Sequence, residues 1–138
     1  MTSQLLIENN LDSLRDMSNW VAATGKALGL SDTLCYRFDL AANEAVTNTI
    51  SYGYAAGVRG EIALRLITAN CNTVLEIEDD GVAFNPLQVP QPARPESLET
   101  SPIGGLGVQL IRSSMAQCDY QRRDGHNVLT LQSPITDG

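Results

Sequence analysis

The chain has 138 residues, 43% of them hydrophobic, and a formal net charge of −7. This size and composition predict one globular domain with a core of its own and exclude a disordered chain. The acidic balance argues against nucleic acid or an anionic membrane as the main partner. No apolar run approaches the roughly 18 residues of a membrane span, and no signal peptide opens the chain. We therefore expect a cytoplasmic protein.

The first half of the chain predicts one strand followed by two helices. Residues 4–8 are predicted to form the strand, and a helix is predicted from Leu11 to about Leu28. Ser31 is a favourable N-cap for a second helix from Asp32 to Tyr52. Apolar residues recur at helical spacing in both helices. Those of the first are Leu14, Met17, Val21, Ala22 and Leu28, and the buried stripe of the second is Leu34, Phe38, Ala41, Ala42, Ala45 and Thr49.

The second half predicts two hairpins separated by a loop and a helix. Residues 60–69 and 73–79 are predicted strands joined by a turn at Asn70-Cys71-Asn72. Five of the six prolines lie from Pro86 to Pro102, so that stretch is a predicted loop. A helix is expected from about Leu106, then strands over 118–123 and 127–133. This order predicts an α+β, two-layer sandwich, with helices packed on one face of a mixed, mostly antiparallel sheet.

Three cysteines, Cys35, Cys71 and Cys118, are far apart in the sequence. Their spacing fits neither a zinc site nor an evident disulfide framework. We expect all three to be buried and to act as small hydrophobic residues.

A carboxylate and an amide occur one helical turn apart in the second predicted helix. Glu44 and Asn48 lie four residues apart, so they share a face that borders the apolar stripe. A carboxylate at the rim of the core can act as a general base toward a hydroxyl or water. An amide oxygen there is a suitable hard ligand for Mg²⁺. Taken alone, the pair is better explained as a helix surface pair without function.

A second polar segment follows the strand predicted over 73–79. It reads Asp79-Asp80-Gly81-Val82-Ala83-Phe84-Asn85-Pro86. Asp79 could accept a hydrogen bond from the exocyclic amine of adenine, and Gly81 would let a ring approach the backbone closely. Phe84 and Pro86 would shape the turn that follows. The alternative is an ordinary turn at the end of a strand, since Asp-Gly is common in turns.

The third segment, Gly104-Gly105-Leu106-Gly107, is predicted to form a glycine-rich turn that opens a helix. Free N–H groups and the helix dipole favour phosphate at such a position. A lone Gly-x-Gly is weak evidence, and the chain has no P-loop motif. Because Lys26 is the only lysine, the negative charge of a phosphate must be balanced by backbone N–H groups, a metal ion and arginine. Arg94 and Arg112 are candidates.

The three segments, in this order, resemble the ATP-binding domains shared by gyrase, Hsp90, histidine kinases and MutL. Within these, the chain is most similar to the small stand-alone anti-sigma factor serine kinases of bacteria, over nearly its whole length of 1–138. Residues 104–111 and 119–125 also look like that family. Glu44 and Asn48 match the family's N box. Asp79, Gly81, Phe84 and Pro86 match its Asp-x-Gly-x-x-Phe-x-Pro box. Gly105 and Gly107 match its Gly-x-Gly.

The resemblance implies the histidine-kinase-like ATPase fold and ATP bound with Mg²⁺ under a lid at about residues 87–103. It implies phosphoryl transfer to a serine or threonine of a small antagonist protein, with Glu44 as base and Asn48 as metal ligand. Asp79 would recognise adenine. The other residues expected to contact the nucleotide are Gly81, Phe84, Gly104, Gly105, Leu106 and Gly107. The resemblance also implies that the protein binds a sigma factor and forms a homodimer through the first strand and helix.

The chain departs from this pattern just after the N box, where many relatives have a His-Ala-Tyr segment. Here the sequence is Ser51-Tyr52-Gly53-Tyr54. Two other functions stay open at this point. One is a non-catalytic module that sequesters a protein partner when ATP is bound, although such a module would not need Glu44 as a base. The other is a histidine kinase catalytic domain, which is disfavoured because no phosphoacceptor histidine or dimerising helical hairpin precedes the domain.

Overall fold

A computed structural model describes residues 2–88 and 103–135 of the chain. Five strands of this part form one sheet in the order β1-β2-β3-β5-β4, and three helices accompany it. The elements, in chain order, are β1 Thr2–Glu8, α1 Ser13–Ala27, α2 Asp32–Tyr52, β2 Glu61–Ala69, β3 Asn72–Asp79, α3 Ile103–Ser114, β4 Gln117–Arg123 and β5 His126–Pro134.

All four strand pairings in the described residues are antiparallel. The predicted α+β sandwich is confirmed, while the expectation of a mixed sheet is wrong for these residues. The connections explain the result. Two helices between β1 and β2 return the chain to the end of the sheet where β1 stopped. The single helix α3 makes β4 run in the direction of β3, but β5 lies between them, so no parallel ladder forms.

Both hairpins turn through two residues with positive φ. Asn70 and Cys71 have φ of 52° and 61°, and Asp124 and Gly125 have φ of 53° and 80°. This geometry matches the right-handed twist of the strands and favours Asn, Asp and Gly. The predicted turn at Asn70-Cys71-Asn72 is confirmed. It also explains why Cys71 is exposed, contrary to the expectation of burial. Cys35 and Cys118 are half-buried, and burial raises the pKa of both thiols.

The core lies between the helices and one face of the sheet. Helix α2 has the predicted bounds and N-cap, with the Ser31 side chain accepting a bond from the Leu34 N–H at 3.1 Å. Its predicted stripe is buried throughout, whereas Ala22 of α1 is exposed, contrary to expectation. No helix in the described residues is long and apolar enough to cross a membrane. The sheet residues that belong to this core include Ile62, Leu64, Leu66, Leu75, Ile77, Leu129 and Leu131.

Candidate functional site

Asp79 is a buried carboxylate at the last position of β3. Its side chain is 3% exposed. The Gly81 N–H and the Asn127 amide both donate to its Oδ1 atom, each at 2.9 Å. Within residues 2–88 and 103–135, Oδ2 accepts no hydrogen bond from the protein. The buried acid therefore keeps one acceptor for a ligand.

The surroundings of Asp79 act on its pKa in both directions. Burial is the largest cause and raises the pKa of the carboxyl above its ordinary value of 3.8. The hydrogen bonds from Asn127 and Gly81 lower it, Asp80 raises it and Arg122 lowers it. The net direction is upward, so the fold holds this charge at a cost in stability. Such an arrangement is more typical of a functional site than of a structural turn.

At Gly81 the segment after β3 packs closely against the end of α2. A Cβ on Gly81 would lie 2.3 Å from the carbonyl oxygen of Gly53, the C-cap of α2. The same oxygen accepts a hydrogen bond from the Val82 N–H at 2.9 Å. The protein itself therefore requires glycine at 81. Whether a nucleotide ring also uses this space stays a prediction.

Helix α2 carries Glu44 and Asn48 toward the same region. Asn48 is 5% exposed, and its Nδ2 donates to the carbonyl of Pro86 at 3.4 Å. That contact uses the nitrogen and leaves Oδ1 as an acceptor or metal ligand. Glu44, one turn earlier, is half-buried, and a Cβ on Gly107 would lie 3.4 Å from its Oε1. The structure thus brings residues from all three segments around α2.

The glycine-rich segment lies inside a helix, not before one. Helix α3 begins at Ile103, so Gly104, Gly105, Leu106 and Gly107 fall within its first residues. The predicted start near Leu106 is wrong because glycine is disfavoured in helices, and packing of α3 on α2 outweighs that preference. The first N–H groups of a helix have no partner within it. A site for phosphate at this helix end stays a prediction.

Phe84 and Pro86 both contact residues of α2. The Phe84 ring lies 5.7 Å from the Tyr52 ring, centroid to centroid, and Pro86 is buried. Leu87, the first residue of the predicted lid, is part of the core at 7% exposure. Residues 89–102 lie outside the described residues, and so does Arg94. Arg112 falls in the last turn of α3, at the end of the helix opposite the glycines.

Three residues around this site were not found from the sequence. Asn127 bonds Asp79, Arg122 donates to the Gly81 carbonyl at 2.9 Å, and the Tyr54 hydroxyl donates to Asp80 at 2.7 Å. Burial and the bond to Asp80 raise the pKa of Tyr54. Pairing β5 with β3 would have revealed Asn127, because the register sets it opposite Asp79.

The described part of the site offers few groups that could bind a metal ion. Among the described residues, no cluster of three His, Cys, Asp or Glu side chains could hold a metal ion. A Mg²⁺ ion needs only one or two protein ligands when substrate phosphates supply others. The amide oxygen of Asn48 is a ligand of the kind that a metal arriving with a nucleotide would use, and its role stays a prediction.

The chain belongs to the family of histidine kinase-like ATPase domains, whose model matches residues 7–133. It is 38% identical over 103 residues to the serine/threonine-protein kinase BtrW of Bordetella bronchiseptica, a match that covers 75% of this chain and 72% of that protein. The family resemblance found in the sequence is thereby confirmed.

A solved structure shares the fold over the full length of the chain. It is the crystal structure of the RsbU and RsbW domains of Rv1364c from Mycobacterium tuberculosis, with a TM-score of 0.71 and 14% sequence identity. The match covers 100% of this chain and 33% of that one. This chain thus spans about a third of the solved chain, and at this identity the likeness shows the fold.

Proposed function

We propose that this protein is an ATP-dependent serine/threonine protein kinase that acts on a small antagonist protein in a partner-switching pathway. The observation that carries the proposal is the placement of Glu44, a half-buried carboxylate one turn from Asn48 and in contact range of Gly107. A module that only binds ATP has no need of a carboxylate there. Similarity to a protein named as a serine/threonine kinase supports the same activity.

The residues of the site fit ATP and Mg²⁺. Asp79 offers Oδ2 to the exocyclic amine of adenine, with Gly81 and Phe84 beside it. Asn48 offers Oδ1 to the metal. The free N–H groups at the start of α3, from Ile103 through Leu106, suit phosphate oxygens. When bound, ATP with Mg²⁺ supplies the γ-phosphoryl group.

Glu44 takes the role of general base in this proposal. Its carboxylate accepts the proton of the acceptor hydroxyl as the hydroxyl oxygen forms a bond to the γ-phosphorus and the bond to ADP breaks. Phosphoryl transfer asks a protein mainly for positioning and charge stabilisation. Asn48, on the same helix, would hold the metal in a fixed relation to that base, because one rigid turn separates the two side chains.

The partners follow from the family resemblance. We propose a small antagonist protein that carries the acceptor serine, a sigma factor as a second partner, and a homodimer formed through β1 and α1, all in the cytoplasm. A net charge of −7 is compatible with a basic protein partner. The alternative function is an ATP-dependent module that sequesters a partner without phosphorylating it.

Two measurements test the proposal. Calorimetry with ATP and Mg²⁺ is expected to show binding, and the absence of binding would overturn the nucleotide site. Incubation with radiolabelled ATP and candidate antagonist proteins is expected to label a serine or threonine. An antagonist that binds the ATP-loaded protein but gains no label would favour the sequestering module.

A further inference from the structure

Asn127 is the buried amide at the second position of β5, and the β3–β5 register sets it directly opposite Asp79. Asn127 is 1% exposed. Nδ2 donates to Asp79 Oδ1 at 2.9 Å and to the Val82 carbonyl at 2.8 Å. Oδ1 accepts from the Phe84 N–H at 3.1 Å and from the Tyr120 hydroxyl. All four hydrogen-bonding positions of the amide are therefore used.

The neighbours of this amide allow only one orientation. A rotated amide would turn Nδ2 toward the Phe84 N–H, a donor, and Oδ1 toward the Val82 carbonyl, an acceptor. Both contacts would be lost in a buried place, where each unmatched polar group costs about 1–3 kcal/mol. The Tyr120 hydroxyl, from β4, reinforces the same choice. The segment after β3, together with Tyr120 of β4, thus fixes which group of the amide faces Asp79.

That group is an N–H, which favours the charged form of the Asp79 carboxyl. Asp79 Oδ1 receives donors from Asn127 and from Gly81. Both bonds favour the ionised carboxylate, and burial opposes it. Because Oδ1 already accepts two hydrogen bonds, Oδ2 is the oxygen that can recognise a ligand. The same two bonds fix the plane of the carboxylate. An ionised carboxylate there accepts hydrogen bonds and donates none.

We infer that Asn127 is a positioning residue that makes Asp79 selective for a nucleobase carrying an amino donor. It does so without needing to touch the base, by holding the carboxylate plane. A base with a carbonyl at the same place would set two acceptors against each other. This inference rests on the proposed binding of ATP and adds the residue that gives the site its preference for the amine.

The test compares two nucleotides that differ only in that amine. Calorimetry would measure ATP and purine riboside triphosphate, which lacks the exocyclic amine, on wild type and Asn127→Ala. Wild type is expected to favour ATP. In the variant the affinity for ATP should fall by about ten-fold, the effect of one hydrogen bond to a charged group, while the affinity for the amine-free nucleotide changes less than about two-fold. Equal losses for both nucleotides, or no loss for either, would overturn the inference.

Matched variants separate positioning from general damage. Asn72→Ala removes an amide at the opposite end of β3, where Nδ2 bonds Gln132 at 2.9 Å, and should leave both affinities unchanged. In an Asp79→Ala background, Asn127→Ala should have no further effect on ATP, since its action passes through Asp79. A further loss there contradicts the inference.

A milder variant covers the case in which Asn127→Ala fails to fold. Tyr120→Phe removes only one of the two donors to the Asn127 amide oxygen, and it should weaken the binding of ATP more than that of the amine-free nucleotide. Equal changes, or none, would overturn the inference by this route too. Wild-type protein that binds neither nucleotide would overturn the proposed function and the inference together. Binding of both with unchanged preference in every variant would overturn the inference alone.

Discussion

Glu44 of α2 and Gly107 of α3 face each other across the contact between the two helices. A methyl group on Gly107 would lie 3.4 Å from Glu44 Oε1 and 3.6 Å from its Cδ. Both are ordinary van der Waals distances, so the Glu44 side chain lies directly beside the backbone of α3 at Gly107. This also means that the Glu44 carboxylate lies beside the first turns of a helix whose leading N–H groups have no partner within the helix. Base and phosphate site would then be neighbours.

We expect Glu44→Gln to abolish phosphoryl transfer while ATP binding stays within about two-fold of wild type. Glutamine keeps the shape that packs against Gly107 but cannot take a proton, and loss of a general base costs about 100-fold or more in rate. Radiolabel transfer and calorimetry on the same preparation would check both parts. Glu61→Gln, a matched change of an exposed carboxylate at the start of β2, should leave both unchanged. Transfer that persists in Glu44→Gln would remove Glu44 as the base.

Gly81→Ala should damage both stability and nucleotide binding. The new Cβ would lie 2.3 Å from the Gly53 carbonyl oxygen, and backbone on both sides leaves little room to relax. Forced contacts of this kind cost about 1–3 kcal/mol. Denaturant unfolding and ATP calorimetry would measure the two effects.

Gly29→Ala provides the control for Gly81→Ala. Gly29 has φ of 85° and open space around its Cβ position, so alanine there strains the backbone far from the site. We expect lower stability with unchanged ATP affinity. Equal losses of affinity in the two variants would show that nucleotide binding follows global stability and not the contact between Gly81 and Gly53.

The sequence predicted the elements well and the network around the acid poorly. Helix α2 was predicted from Asp32 to Tyr52 because its apolar residues and its N-cap agree. Ala22 was predicted to lie on the apolar side of its helix from the helical spacing of apolar residues, yet it is exposed, since a residue as small as alanine fits either side of a helix. Asn127 was missed because a polar residue at the start of a strand carries no sign of its partner. Only the pairing of β5 with β3, a contact between distant parts of the chain, defines its role.

Asp79→Asn should change how stability depends on pH. The pKa of Asp79 is raised in the folded state, mainly by burial, above its ordinary value of 3.8. Between those two pKa values the folded protein binds more protons than the unfolded chain, so wild type loses stability as pH rises through that window. Asparagine has no such titration and can still accept the bonds from Gly81 and Asn127.

The stability of Asp79→Asn relative to wild type should therefore increase from pH 4 toward pH 7, while ATP binding is weakened. Urea unfolding across this range would measure the difference. Asp124→Asn, an exposed change in the β4–β5 turn, should show no comparable trend. A difference between Asp79→Asn and wild type that falls as pH rises would contradict the raised pKa.

Thr73→Val should stabilise the protein. Thr73 lies in β3 with 0% exposure, and in the described part of the chain its hydroxyl is buried without a hydrogen-bond partner. Valine has the same shape and removes a buried polar group that costs about 1–3 kcal/mol when unsatisfied. We expect a gain of about 1 kcal/mol, or roughly 3 °C in Tm for a domain of this size. Thr130→Val, a half-buried position on β5, should change stability by less than about 0.5 kcal/mol. A loss of stability in Thr73→Val would mean that the Thr73 hydroxyl is satisfied in the folded protein.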